Sequence, residues 1–134
     1  MDKKELAIQL HNNRYNCAQS VACAFADEIG VDKAILFKAC EGFGLGMGCM
    51  EGTCGAISGA AMLASFQNSD GNLDSPASKA ATYQLSKTII EKFAQKNQAT
   101  RCRDLKGIDT SHVLRSCPDC IKDAVEIVEE VLKL

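Results

Sequence analysis

The residues able to do chemistry in this chain are its eight cysteines: Cys17, Cys23, Cys40, Cys49, Cys54, Cys102, Cys117 and Cys120. A thiolate attacks disulfides and binds soft metal ions, so position and spacing decide which thiols matter. Cys117-Pro118-Asp119-Cys120 is a C-x-x-C at the start of a predicted helix. The unpaired amides and positive dipole end there favour thiolate over thiol. Cys54 follows Thr53 and Cys17 follows Asn16, both predicted helix caps, so the same argument reaches them. If those three helix starts converge, they form an electropositive, thiol-rich pocket. Cys54, Cys117 and Cys120 are the expected catalytic thiols, with Cys54 or Cys117 attacking. Cys23 and Cys40 have apolar neighbours and are expected to fill the core as small hydrophobes. Cys49, five residues before Cys54, stays open between a metal ligand and an incidental residue.

Residues 41–52 hold five glycines in twelve positions. Each costs a helix or strand about 1 kcal/mol relative to alanine, so a loop is expected. Its amides could face a thiolate, a sulfide or an anion. Gly44, Gly46 and Gly48, with Gly55 beyond the loop, are the candidate cofactor-binding positions. No G-x-G-x-x-G or G-x-x-x-x-G-K-[ST] register exists there. Ser58 lacks the flanking glycines of a nucleophile elbow. His11 and His112 show no zinc spacing and are expected on the surface; a Cys–His pair requires the fold to bring one beside a thiol.

The elements that must position these groups read as helices. Residues 2–12 predict a short helix. Asn16 with Gln19 forms a capping box for a second, which Gly30 stops. Asp32 caps a third running to about residue 40, and Thr53 a fourth over 54–67, built from small residues. Ser75-Pro76 opens a fifth, ending near residue 95 with Leu85, Ile89, Ile90 and Phe93 inward. Residues 97–116 are irregular or short helix. The last helix starts near Pro118, with Ile121, Ala124, Val125, Val128, Val131 and Leu132 on one stripe. Asp123 belongs to its opposite, solvated face, with Lys122, Glu126, Glu129, Glu130 and Lys133. The expectation is an all-α, compact single domain over 1–134, a bundle of five to six helices with a glycine-rich loop.

Hydrophobic residues make up 46% and charged residues 24%, which excludes disorder as the main state. The net charge of -2, with scattered Lys and Arg, excludes a nucleic-acid stripe. The longest charge-free apolar stretch, 54–66, is too short for a bilayer, which takes about 20 residues, so no membrane insertion is expected. The start carries no signal-peptide stretch, so a cytoplasmic location with reduced thiols is expected.

The chain resembles the C_GCAxxG_C_C family of redox-active proteins. The carrying residues are Asn16-Cys17-Ala18-Gln19, the loop Gly42-Phe43-Gly44 through Met47-Gly48, Gly52-Thr53-Cys54-Gly55-Ala56-Ile57-Ser58-Gly59, Cys102-Arg103-Asp104-Leu105 and Cys117-Pro118. The resemblance runs from about residue 14 to the end. It implies a compact helical domain and four motif cysteines, here Cys17, Cys54, Cys102 and Cys117. Cys49 and Cys120 lie beside motif positions and could enlarge the site.

Three functions follow. The first is thiol–disulfide exchange or electron transfer, with a redox partner or small molecule as substrate. The second is a metal site, iron–sulfur or zinc, on Cys17, Cys54, Cys102 and Cys117. The third is a non-catalytic domain that holds a ligand or partner with the loop and the small-residue helix. That helix could also pack against a second copy, which leaves a homodimer open.

Overall fold

The computed structural model describes residues 1–134. Local capping signals set most helix starts. Asp2 accepts the Glu5 amide at 2.7 Å and opens α1, Lys3–Asn12. Asn16 and Gln19 make the reciprocal capping box of α2, Cys17–Ala24. Phe25, at φ -110 and ψ 15, separates α2 from a single turn, α3, Ala26–Ile29, which Gly30 closes at φ 67. Asp32 accepts the Ala34 and Ile35 amides at the start of α4, Lys33–Cys40. There follow α5, Gly55–Asn68, α6, Lys79–Asn97, α7, Cys102–Lys106, and α8, Cys117–Leu132.

The chain is all-α, with eight helices rather than five or six. The break at Phe25 and the one-turn α7 account for the extra elements. Ser78, not Ser75, precedes α6, so Pro76 lies outside the helix. Cys54, not Thr53, is the N-cap of α5. Thr53 is taken up in an isolated antiparallel bridge with Arg101. There the Cys54 amide donates to the Thr100 carbonyl at 2.8 Å and the Cys102 amide to that of Gly52 at 3.0 Å. No helix is long and apolar enough to cross a membrane.

The core is one cluster in which Phe25, Leu36, Leu63, Ile89, Phe93, Ile121 and Val125 are fully enclosed. From Ala18 to Ala24, α2 is buried on every side. A Cβ at Gly59 would sit 2.5 Å from the Ala18 carbonyl oxygen, and one at Gly55 would sit 3.3 Å from the Ala18 nitrogen. The small residues read as an approach surface therefore serve contact within the chain, between α5 and α2.

Residues 41–50 are not an open loop. Glu41–Phe43 form a 3-10 turn, and the chain then passes through four consecutive left-handed residues. These are Leu45, Gly46, Met47 and Gly48, with Met50 left-handed again just beyond. Left-handed backbone costs a residue with a side chain about 1–2 kcal/mol. Gly46 has a second reason to lack one, because a Cβ there would lie 2.4 Å from the Cys102 Cβ.

Asp123 is not solvated; only 2% of it is exposed. Arg115 grips both its oxygens, at 2.9 and 3.0 Å, Lys96 lies at 2.9 Å and Asn97 donates at 3.1 Å. The partners come from α6 and from the segment before α8, so helical periodicity could not reveal them. This cluster fixes the turn that leads into Cys117. Gly59→Ala is expected to lower unfolding stability by about 1–3 kcal/mol, because the contacting atoms are backbone and cannot swing away. Urea denaturation of wild type and variant measures it.

Candidate functional site

Four helix starts carry a cysteine: Cys17 opens α2, Cys54 caps α5, Cys102 opens α7 and Cys117 opens α8. With Cys120, one turn further along α8, all four line one pocket of about 230 Å³. His11, Asn16, Leu45, Gly55, Leu105, Lys106 and Arg115 complete its wall. No carboxylate lines it. Cys17 and Cys117 are partly exposed there, whereas Cys54, Cys102 and Cys120 are buried.

The thiols meet in two pairs. Cys117 is the lowered member of the first, at about 5 against an ordinary 9.0. The Cys17 thiol donating to it is the largest cause; burial opposes, and the charges of Lys106 and His11 add to the lowering. Cys17 is pushed up correspondingly, chiefly by its bond to Cys117 and then by burial. It is the proton holder of that pair. Ser116 supports the arrangement by accepting the Asp119 amide at 3.3 Å, and Pro118 fits the first turn.

The second pair is Cys54 with Cys120. The Cys120 thiol is the largest influence lowering Cys54; burial works against it, and the Ala56 and Ile57 amides assist. Cys120 is pushed up by that bond and by burial. Cys120 Sγ also lies 3.9 Å from the Arg115 carbonyl oxygen. The two cysteines of the C-x-x-C thus face different partners on different helices, not each other.

The remaining thiols separate clearly. Cys102 is pushed up by burial and packs against Gly46. Cys23 and Cys40 lie in the core, and burial raises both, Cys40 to about 11. Cys49 is exposed, with its sulfur 3.8 Å from the Gly46 carbonyl oxygen. Cys17, Cys54, Cys102 and Cys117 share the pocket, but no group of three His, Cys, Asp or Glu side chains stands in an arrangement that could hold a metal ion.

Of the four glycines, Gly55 reaches the pocket. Gly44 makes room for the Asn16 side chain, which a Cβ would meet at 2.5 Å. Gly46 makes room for Cys102, and Gly48 is exposed with open space around it. The sequence does not single out Lys106 and Arg115, and His11, expected on the surface, is half-buried in the pocket wall. His11 Nδ1 lies 3.1 Å from the Tyr15 carbonyl oxygen, which directs the other ring nitrogen elsewhere. Lys106 pairs with no carboxylate. Burial acts against its charge, but the sulfurs of Cys117, Cys102 and Cys17 together outweigh that and raise it. One turn separates Cys102 from Lys106, the only local signal that could have flagged it.

A protein-family model described as "Putative redox-active protein (C_GCAxxG_C_C)" matches residues 15–131, and the chain belongs to that family. Comparison with curated proteins and with solved structures returns no match. Cys117 is expected to be alkylated by iodoacetamide with an inflection near pH 5, whereas an ordinary thiol gains its reactivity near 9.0. Lys106→Ala should move that inflection upward. Peptide-resolved alkylation rates between pH 4 and 10 check both.

Proposed function

We propose that this redox-active family member exchanges disulfides, with Cys117 as the attacking thiolate and Cys17 as the resolving thiol. The observation that carries it is Cys117 itself: partly exposed, at the first position of α8, low, and flanked by Lys106 and the Cys17 thiol. A thiol near 5 is thiolate at neutral pH, and thiolate is the attacking species.

The steps balance without any further reactant. Cys117 attacks one sulfur of a substrate disulfide, R–S–S–R, and expels one thiolate, which takes a proton from solvent. The product is a mixed disulfide on Cys117. Cys117 is then no longer an anion, so the bond that held Cys17 in its protonated form is gone. Lys106 remains and favours Cys17 as thiolate. Cys17 loses its proton, attacks the Cys117 sulfur and expels the second R–S⁻. The dithiol has become the Cys17–Cys117 disulfide, and the substrate has become two thiols. The pocket suits a small disulfide, or one presented by an extended side chain of a partner. Residues 1–134 act as one domain in this scheme, because the site draws on helices from both ends of the chain.

Cys17→Ser is expected to trap the mixed disulfide on Cys117 after exposure to oxidised glutathione, raising the intact mass by one glutathionyl group. Cys117→Ser should gain no such adduct at the pocket. An unmodified Cys117 in Cys17→Ser would overturn the reading.

A further inference from the structure

The second thiol pair has no part in the scheme above, yet it lies directly behind the first. Cys54 and Cys120 are 6% and 2% exposed and line the inner wall of the pocket that Cys17 and Cys117 open. The backbones force the two pairs together. A Cβ on Gly55, the residue next to Cys54, would lie 3.4 Å from the Cys17 Cβ. Cys117 and Cys120 are one turn apart on the same helix. Each pair joins one α8 cysteine to one cysteine at another helix start. A buried thiol pair could simply pack, but packing alone does not call for a thiol–thiol hydrogen bond on a pocket wall.

We infer that Cys54 and Cys120 form an inner dithiol that takes the disulfide from Cys17–Cys117 and returns the outer pair to its reduced state, so each chain stores two disulfides. This rests on the exchange reading above and deepens it.

The transfer conserves atoms, electrons and charge. The Cys54 thiolate attacks the Cys17 sulfur, forming Cys17–Cys54 and expelling Cys117 as thiolate. Cys117 is the natural leaving group, since a thiol of low pKa leaves faster. Cys120 then gives up its proton and attacks the Cys54 sulfur, expelling Cys17, which takes up a proton. The Cys54–Cys120 pair is oxidised, the Cys17–Cys117 pair is reduced, and the negative charge has moved from Cys54 to Cys117. The direction is inward, because a dithiol whose reduced form is stabilised as thiolate makes the more oxidising disulfide. Lys106 and His11 supply that stabilisation to Cys117. Cys54, the thiolate of the inner pair, is steadied by the Cys120 thiol and the Ala56 and Ile57 amides rather than by a cation, and burial opposes its charge.

The test titrates the fully reduced chain, without oxygen, with bis(2-hydroxyethyl) disulfide, followed by acid quench, alkylation and mapping of disulfide peptides. With substrate limiting, the expected bond is Cys54–Cys120, while Cys17 and Cys117 stay alkylatable. With excess substrate, both bonds form and four thiols per chain are lost. In Cys120→Ala the bond is expected to stop at Cys17–Cys54. If Cys17–Cys117 forms and Cys54 and Cys120 remain alkylatable under excess, the inner couple is overturned and the exchange reading stands. If no bond to Cys117 forms at any ratio, the exchange reading falls as well. The wild-type series decides the matter even if the variant fails to fold.

Discussion

The contact between the backbones of α2 and α5 is the constraint on which the site depends. Packed helices ordinarily keep their axes about 8–10 Å apart, set by the side chains between them. Gly55 and Gly59 remove those side chains where α5 meets Ala18. The start of α5 is thereby pressed against the start of α2, and Cys54 comes beside Cys17. The start of α8 closes the same pocket, and its one-turn spacing offers one sulfur to each neighbour. Two facing thiol pairs follow from helix packing and do not require a local motif.

That convergence has an electrostatic consequence. Each longer helix start carries roughly half a positive charge, and three of them meet beside Lys106 with no carboxylate on the wall. A cluster of like partial charges in a low-dielectric pocket is unfavourable unless something negative sits among them. Thiolate is the anion these residues can provide. The same field that favours Cys117 as thiolate therefore offsets the mutual repulsion of the helix ends. Each sulfur that stays protonated, Cys17 and Cys120, does so by donating to its neighbour, so the charge is limited to one per pair.

The segments around the pocket are held rather than loose. The left-handed turn at residues 45–48 wedges Gly46 against Cys102 and sets Leu45 on the rim. The bridge of Thr53 with Arg101 ties the approach to Cys54 to the approach to Cys102. Arg115, clamped on buried Asp123, fixes the chain two residues before Cys117. Backbone strain in the turn is tolerated because its neighbours on both sides are anchored, a pattern common at functional sites.

The sequence by itself determined what depends on neighbours along the chain. The caps Asn16 with Gln19, Asp32 and Gly30, the apolar stripe of α8 and the helix-start placement of Cys17 and Cys117 are contacts within one turn, so they were legible. Cys23 and Cys40 were legible as core because their surroundings in sequence are apolar. Tertiary structure alone decided which sulfurs meet. The C-x-x-C suggests a pair, yet Cys117 meets Cys17 and Cys120 meets Cys54, across separations that loop lengths do not encode. The burial of Asp123, the arrival of His11 and Lys106 beside a thiolate, and the left-handed path of the glycine segment likewise come from non-local partners. Charge and close packing act through space, and a reading along the chain registers them only where space and sequence run together.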